Sequence, residues 1–315
     1  MRAVVIDDFG TEPHIAELPE PVPGPGEVVV RMHAAALNPF DWKVVDGALR
    51  GVVQHQFPLT LGSDGAGVVA EVGDGVTEFR TGDRVYGQFL QISRGRGSFS
   101  EAATVSATGK VAQLPAEVPF ECAASLPTAS TAAYQAVAAA GLSAGDVVLV
   151  NGASGGVGQS AVQFAVEAGA TVLATAPPDV ADHMRSLGAA AVIDFTAGPT
   201  VDQVRAAHPD GIHAVVDLVS RAGDAAAVAA LVRSGGAFVS TNNAAEAELL
   251  SARGVRGVNL DSRVTPADLA ALAERVADGR LRVQFDECVQ LDDAPAAIAH
   301  ARAGHARGKT VILFG

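Results

Sequence analysis

The sequence predicts an α/β protein in which a doubly wound parallel sheet is inserted into a small antiparallel β-barrel. The first third of the chain holds short apolar or alternating runs separated by turn residues, which is typical of antiparallel strands. From about residue 117, helix-like and strand-like segments alternate, which favours a parallel sheet. Because the C-terminal segment looks like barrel strands again, we expect it to return to the first domain. Residues 1–117 and 285–315 should then form one domain, and residues 118–284 the other.

Individual elements follow from the spacing of apolar residues. In the first domain this spacing predicts strands at Ala3–Ile6, Glu27–Ala36, Ala66–Val72, Arg84–Gly87 and Ala102–Val105. In the second domain it predicts helices over 119–140, 156–168, 180–187, 200–207, 223–233 and 266–278. The strands expected between these helices are 146–150, 171–175, 191–193, 212–218, 236–240 and 254–258. A strand over 281–288, a helix over 293–303 and a strand over 310–314 complete the chain.

Composition narrows the class of protein. Hydrophobic residues make up 49% of the chain and charged residues 18%, as in a soluble globular protein with ample core. The formal charge of −13 argues against a nucleic-acid or anionic membrane partner. The N-terminus lacks the pattern of a signal peptide, and no uninterrupted apolar run reaches the ~18 residues of a membrane span. We therefore expect a cytoplasmic protein. Cys122 and Cys288 are its only cysteines, too few for a disulfide framework or a cysteine zinc cluster.

The strongest functional signal lies in residues 146–176, where a strand, a glycine-dense turn, a helix and a second strand follow one another. Ala153, Gly155 and Gly158 occupy the three fingerprint positions of a dinucleotide-binding turn. These positions need a tight turn, close approach of backbone to a pyrophosphate, and close helix–strand packing. The N–H groups at the helix start also favour negative charge. The residues expected to bind the cofactor here are Ala153, Ser154, Gly155, Gly156, Val157 and Gly158.

The same turn permits a second interpretation. Residues 152–156 also spell G-x-S-x-G, the nucleophile elbow of α/β-hydrolases, with Ser154 as nucleophile. Asp217 and His300 follow in the order that such a triad requires. We disfavour this interpretation because the elbow does not explain Gly158 or the rest of the chain.

Several separated motifs extend the dinucleotide-binding interpretation over nearly the whole chain. They are Leu37–Asp41, Leu61–Val69 with Val72-Gly73, Gly82–Gly87, Ala153–Gly158 and Arg307–Lys309. In this order they resemble the medium-chain dehydrogenase/reductase superfamily, specifically its zinc-independent NADPH:quinone oxidoreductase-like branch. The resemblance implies a GroES-like β-barrel catalytic domain, with a Rossmann nucleotide-binding domain inserted in it, and a homodimer.

The residues at the metal positions argue against zinc. Zinc-dependent relatives bind the catalytic metal through a cysteine where this chain resembles them at Asn38. They place a histidine–glutamate pair where it has Ser63 and Asp64. Asparagine and serine are poor zinc ligands, and the four-cysteine loop expected after Gly87 is missing. We therefore expect no metal. Without a Lewis acid, substrates that accept hydride readily fit best, namely quinones and alkenes conjugated to a carbonyl.

The resemblance also implies the residues of the reaction site. Asn38 and Asp41 should lie beside the nicotinamide and the substrate, as the catalytic pair. The alternative is a purely structural turn, because Asn-Pro followed by Asp is strong turn chemistry. Phe40, Trp42 and Tyr86 are candidates for the aromatic wall of an apolar pocket, and core packing is the alternative for each.

The choice of cofactor depends on the end of the second strand of the nucleotide domain. Enzymes that use NAD place Asp or Glu there, whereas this chain has Thr175-Ala176, which favours NADPH and leaves NADH as the alternative. Pro177-Pro178-Asp179 and Phe195 replace the basic and tyrosine residues of NADPH-dependent relatives. Further cofactor contacts are expected, at the ends of later strands, from Val219, Ser240 and Asn242. The threonine that relatives place near the cofactor is displaced by one position, to Thr131.

The leading hypothesis is a reductase that transfers hydride from NADPH to a quinone or an α,β-unsaturated carbonyl, an apolar small molecule. The cofactor supplies the hydride, while the protein positions the acceptor and stabilises the developing oxyanion. No residue stands out as an obligatory proton donor. A dedicated enoyl reductase of a biosynthetic pathway is one alternative. A nucleotide-binding protein without turnover is another.

Overall fold

The computed structural model describes residues 1–304 and 308–315. Its strands are β1 (Arg2–Ile6), β2 (His14–Glu17), β3 (Glu27–Ala36), β4 (Leu59–Thr60), β5 (Asp64–Val72), β6 (Arg84–Gln88), β7 (Ala102–Ser106), β8 (Val111–Gln113), β9 (Val147–Asn151), β10 (Thr171–Thr175), β11 (Ala191–Ile193), β12 (Ile212–Asp217), β13 (Val232–Ser240), β14 (Arg256–Asn259), β15 (Phe285–Gln290) and β16 (Lys309–Leu313). Its helices are α1 (Pro39–Val45), α2 (Phe120–Ala124), α3 (Pro127–Ala140), α4 (Gly156–Glu167), α5 (Ala181–Ser186), α6 (Thr200–Ala207), α7 (Ala226–Ala229), α8 (Ala247–Ala252), α9 (Pro266–Ala277) and α10 (Ala294–Arg302).

The chain forms two compact units. The first joins Met1–Ala129 to Val264–Gly315, and the second is Ser130–Arg263. The first unit is therefore larger than the sequence boundaries at 117/118 and 284/285 suggest. The reason is packing: α2 lies on β3 and β5, and α9 packs on β8.

The first unit is built on two sheets. The smaller has the order β2-β1-β4, and the larger has the order β15-β16-β3-β5-β6-β8, with β7 also paired to β3. Strand β3 pairs with β5 along its length, and this antiparallel register sets Ala36 opposite Asp64. Strand β16 pairs antiparallel with the end of β3, setting Val311 opposite Ala36. Asp64 and the start of β16 therefore meet where β3 ends, just before Asn38.

The second unit holds one parallel sheet with the order β11-β10-β9-β12-β13-β14. Because the chain moves from β9 outward to β11 and then returns to β12 on the other side of β9, the order reverses at β9. Ligands of such sheets bind at this switch point, outside the carboxyl ends of the strands. The buried apolar residues of the sheet that form its core include Leu149, Leu173, Val215 and Phe238.

Some elements differ from those expected. The helix predicted over 119–140 is two helices, because proline lacks the N–H needed inside a helix and Pro127 begins α3 instead. The predicted helix over 223–233 is only the short α7, and β13 starts already at Val232, which pairs with Ile212. The spacing of apolar residues missed the short strands β2, β4 and β8 and the helices α1 and α8.

Candidate active site

The segment Asn38–Asp41 begins a helix rather than an isolated turn. Asn38 has an extended backbone, and Pro39 occupies the first position of α1, where the missing N–H costs nothing. Asp41 Oδ2 accepts a hydrogen bond from the Asn38 N–H at 2.7 Å. Asp41 Oδ1 accepts another from the Ser63 N–H at 3.0 Å. The carboxylate thus ties the start of α1 to the loop before β5.

The Asn38 carboxamide is held from both ends. Its Nδ2 donates to Asp64 Oδ2 at 3.0 Å and to the Ala36 carbonyl at 3.3 Å, which uses both of its N–H groups. Its Oδ1 accepts a hydrogen bond from Lys309 Nζ at 2.7 Å. Lys309 Nζ also donates to the Leu37 carbonyl at 2.9 Å. Asn38 is therefore a buried bridge between an ammonium and a carboxylate.

Asp64 continues this network to the start of α3. Its Oδ2 accepts from the Thr128 N–H at 2.9 Å, and its Oδ1 accepts from Thr128 Oγ1 at 2.7 Å. Gln88 Nε2 in turn donates to Thr128 Oγ1 at 2.7 Å. The five residues Asn38, Asp41, Asp64, Thr128 and Lys309 are named the Lys309 cluster below.

The Lys309 cluster buries two carboxyl groups and one amine. Burial raises the pKa of Asp41 to about 7, against the hydrogen bond from the Asn38 N–H and with the help of the nearby Asp64 charge. Burial also raises the pKa of Asp64, while Lys309 opposes that rise. Burial lowers the pKa of Lys309, against the attraction of both carboxylates. The cluster can therefore gain or lose a proton near neutral pH.

The three aromatic residues proposed for a pocket wall have different environments. The Phe40 side chain is 38% exposed at the first turn of α1. Trp42 is partly buried and packs against the apolar cluster that includes Leu37. Tyr86 is 0% exposed, and its hydroxyl donates to the Leu269 carbonyl of α9. These contacts favour core packing, the alternative stated for Tyr86, because the ring is enclosed by the core and the hydroxyl is already bonded.

The glycine turn has the geometry that a pyrophosphate requires. Gly152 leaves β9 with φ at +91°, in the left-handed region that favours glycine. A Cβ at Gly158 would lie 2.2 Å from the Gly152 carbonyl oxygen, so only hydrogen fits there. A Cβ at Gly155 would meet only that same oxygen, at 3.6 Å, so the backbone is open to a ligand at this point.

Helix α4 supplies the hydrogen-bond donors at this turn. The Gln159 N–H donates to the Gly155 carbonyl at 3.0 Å, so the N–H groups before it belong to the first helical turn. Such groups, together with the helix dipole, attract phosphate oxygens. Gln159 Nε2 donates to the Ser154 carbonyl at 3.0 Å, which stabilises the turn. Ala153, within the turn, is buried. These residues fit a dinucleotide pyrophosphate.

The strand ends beside the turn hold the remaining residues expected to bind the cofactor. Thr175 is buried, and its Oγ1 accepts from the Gly152 N–H at 2.7 Å. Val219 is 56% exposed. It lies close to Gly152, since a Cβ added at Gly152 would be 2.6 Å from the Val219 side chain. Ser240 is buried, and its Oγ accepts from the Asn242 N–H at 3.1 Å. Ser240 therefore shapes the loop after β13.

The end of the second strand contains no acid. Ala176 is fully buried after β10, and its N–H donates to the Ile193 carbonyl at 3.1 Å. Arg185, on α5, is paired with Asp182 at 2.7 Å. The hydroxyl of Thr131 is buried, and no residue that the structure describes forms a hydrogen bond with it.

Asp217, the acid named in the hydrolase interpretation, is hydrogen-bonded to neighbouring residues of its own unit. This residue is 0% exposed, and its Oδ1 accepts from Asn151 Nδ2 at 2.7 Å and from Ser220 Oγ at 3.1 Å. Sequence reasoning missed the structural part played by Asn151 and Asp217. A signal was present, because neighbouring apolar strands each end in a polar residue.

In residues 1–304 and 308–315 no three His, Cys, Asp or Glu side chains gather as a metal site would. The helices of the same residues are too short or too polar to cross a membrane. Arg307, the first residue of the C-terminal motif, lies outside the described residues.

Comparison with known proteins adds independent findings. Residues 24–116 match the alcohol dehydrogenase GroES-like domain family, and residues 187–312 match the zinc-binding dehydrogenase family. The chain is 32% identical to the chloroplastic quinone-oxidoreductase QR1 of Triphysaria versicolor, over 99% of this chain and 98% of that protein.

Two solved structures resemble the whole chain. The quinone oxidoreductase from Coxiella burnetii matches with a TM-score of 0.90 and 29% identity, over 100% of this chain and 99% of that one. A mycobacterial protein solved with NADPH matches with a TM-score of 0.86 and 25% identity, over 100% of both chains.

Proposed function

Because the chain belongs to the medium-chain dehydrogenase/reductase superfamily, among its quinone oxidoreductases, we propose that it transfers hydride from NADPH to a quinone or an α,β-unsaturated carbonyl. It is an oxidoreductase with a nicotinamide cofactor. The cofactor supplies the hydride when bound. The protein binds and orients it and shields the reaction from water.

The observation that carries this proposal is the glycine turn. Its backbone is open at Gly155, its first helical turn offers N–H donors, and Gly158 lets α4 pack closely against the turn. We assign the pyrophosphate to these N–H groups, with Ser154 beside them and Val219 covering Gly152. Asn242 donates from Nδ2 to the Leu218 carbonyl at 3.0 Å, and so supports the backbone before Val219.

We assign NADPH rather than NADH as the preferred cofactor. A carboxylate after β10 would bind the ribose hydroxyls of NADH and repel a 2′-phosphate, and Ala176 supplies none. Fluorescence titration of the purified protein should therefore give a lower Kd for NADPH than for NADH. Equal values would mean that Ala176 does not discriminate.

We assign Asn38 and Asp41 to turnover rather than to cofactor affinity. Both fix the first turn of α1, from which Phe40 is exposed as an apolar surface for the acceptor. Asn38→Ala should lower kcat with little change in the Kd of NADPH. An unchanged kcat would leave Asn38 with a structural role alone. The proton that completes reduction of the acceptor comes from water in this proposal.

The reaction is tested by steady-state oxidation of NADPH with a panel of quinones and enones. Turnover of several quinones supports the proposed function. Activity confined to one class of enoyl substrate would identify a dedicated enoyl reductase. Binding of NADPH without turnover of any acceptor would leave a nucleotide-binding protein without enzymatic activity.

We also propose that the protein is a cytoplasmic homodimer. Strand β14 lies at the edge of the parallel sheet, and an edge strand can pair with its copy across a two-fold axis. Sedimentation equilibrium should give the mass of two chains, whereas the mass of one chain would contradict this arrangement. Fractionation of the source cells tests the location.

A further inference from the structure

Three neighbouring strands of the parallel sheet end in polar side chains that form one line of hydrogen bonds. At the end of β10, Thr175 Oγ1 lies 3.3 Å from Asn151 Oδ1 at the end of β9. Asn151 Nδ2 donates to Asp217 Oδ1, at the end of β12, at 2.7 Å. At the other end of the line, the Gly152 N–H donates to Thr175 Oγ1 at 2.7 Å. These hydrogen bonds therefore connect the glycine turn to the Asp217 carboxylate through two side chains. The residues Thr175, Asn151 and Asp217 are named the Asp217 chain.

The carboxylate sets the direction of the two side-chain bonds in the Asp217 chain. A carboxylate only accepts hydrogen bonds, so Asn151 must turn its Nδ2 towards Asp217 and its Oδ1 towards Thr175. Thr175 then gives its single hydroxyl hydrogen to Asn151 Oδ1, at 3.3 Å, rather than to the more distant Val150 carbonyl, at 3.5 Å, and keeps a lone pair for the Gly152 N–H. Bonds aligned in this way polarise one another in a buried environment.

One of the two carboxylate oxygens of Asp217 is satisfied and the other is not. Its Oδ1 receives the bonds from Asn151 and Ser220, but its Oδ2 is buried with no hydrogen-bond partner among residues 1–304 and 308–315. An unsatisfied buried carboxylate oxygen costs free energy, and a neutral asparagine would fill the same volume at a lower cost. A carboxylate can only accept hydrogen bonds, and this is what keeps Asn151 Nδ2 directed at Asp217.

Holding Gly152 fixes the rest of the turn. The Gly152 carbonyl accepts from the Gly155 N–H at 3.3 Å, and the same oxygen is the atom against which Gly158 packs. A shift of the Gly152 peptide would therefore move both the open backbone at Gly155 and the start of α4.

We propose that Asp217 is a positioning residue for the cofactor pyrophosphate, acting through Asn151 and Thr175 on the Gly152 N–H. It does not touch the cofactor in this role. The inference rests on the proposed function, because it takes the glycine turn as the pyrophosphate site. Since NADPH and NADH share the pyrophosphate, the role applies to both nucleotides equally.

The test measures the Kd of NADPH and NADH for the full-length protein and its variants. Asp217→Asn lets the new amide donate to Asn151 and reverses the two side-chain bonds, so that the Thr175 hydroxyl hydrogen is left with only the Val150 carbonyl, at 3.5 Å. It should weaken both nucleotides by the same factor, about tenfold. Thr175→Val, which removes the hydroxyl and keeps the volume, should do the same, whereas Thr175→Ser should restore the wild-type affinity.

A double-mutant cycle separates this role from general destabilisation. Asp217→Asn combined with Thr175→Val should bind no more weakly than Thr175→Val alone, because the chain is already broken. Ser220→Ala removes a bond to the same Asp217 oxygen outside the chain, and should leave both affinities unchanged. If Asp217→Asn fails to fold, Asn151→Leu breaks the chain without removing the carboxylate and should give the same tenfold loss.

The outcomes are distinct. Unchanged affinity in Asp217→Asn, or in Asn151→Leu when that variant is the one that folds, overturns the positioning role. Additive losses in the double variant overturn it too, since Asp217 would then act by another route. A wild-type protein that binds neither nucleotide overturns both the proposed function and this inference.

Discussion

The two units of the protein bury charge beside the start of a helix in different ways. The Lys309 cluster of the first unit concentrates two carboxyl groups and an amine at the start of α1. The Asp217 chain of the second unit contains one carboxylate and two neutral side chains, and it ends at the turn before α4. The difference indicates that the first region can exchange protons near neutral pH, whereas the second holds a backbone N–H in one direction.

The largest expected effect is on the Lys309 cluster. Lys309→Met would leave the Leu37 carbonyl and Asn38 Oδ1 without their donor, and the two buried carboxyl groups without a nearby positive charge. Each buried acceptor left unpaired costs about 1–3 kcal/mol in the free energy of unfolding. Urea denaturation measures the loss. Lys110→Met, at an exposed lysine, is the control and should change stability by less than about 0.5 kcal/mol. A Lys309→Met protein as stable as the control would show that Lys309 does not stabilise the cluster.

The glycine turn should respond next, through both stability and binding. Gly158→Ala places a Cβ against backbone, and overpacking of this kind costs about 1–3 kcal/mol. We expect it also to abolish measurable binding of NADPH. Gly155→Ala is the matched control, because its Cβ has room within the protein. It should keep the stability and lose affinity only, since the new methyl group faces the ligand. Equal melting temperatures for the two variants would contradict the packing at Gly158.

The pH dependence of stability reports on the Lys309 cluster. The pKa of Asp41 is raised from 3.8 to about 7, so between these values the folded protein holds a proton that the unfolded chain releases. Its contribution to the free energy of unfolding therefore grows as pH falls from 7 towards 4, by up to about 1.4 kcal/mol per pH unit. It is lost as pH rises through 7.

Urea denaturation across pH 4–8 measures this slope. Lys309 has a lowered pKa and contributes with the opposite sign, so the variant Asp41→Asn is needed to isolate the carboxyl group. The difference between wild type and Asp41→Asn should carry the slope. If that difference is flat over the whole range, Asp41 does not titrate near neutral pH.

The smallest effect concerns the two aromatic residues that the structure separates. Tyr86→Phe leaves the Leu269 carbonyl without its donor, which costs about 1–2 kcal/mol of stability. Its kcat/KM for quinones should stay unchanged, because Tyr86 is enclosed by the core. Phe40→Ala should leave the free energy of unfolding nearly unchanged and raise the KM for the acceptor. A loss of kcat/KM in Tyr86→Phe would return Tyr86 to the pocket.

Most of the second unit could be predicted because its signals are local. The glycine turn, its flanking strand and its helix lie within 146–176, and each residue acts on neighbours a few positions away. The prediction of a helix over 223–233 was wrong because a contact distant in sequence decides the structure there. Pairing of Val232 with Ile212 in the sheet overrides the helical preference of that alanine-rich segment.

The sequence by itself determined the nucleotide turn, the alternation of helix and strand, and the absence of zinc-type ligands at Asn38 and Ser63. Tertiary structure alone decided the partners of Asn38. Lys309 is 271 positions away from it, and Asp64 is 26 positions away. No periodicity or local motif records such a pair, because the sheet register and the return of β16 beside β3 bring the side chains together. Their burial by surrounding elements then shifts the pKa values that give the cluster its chemistry.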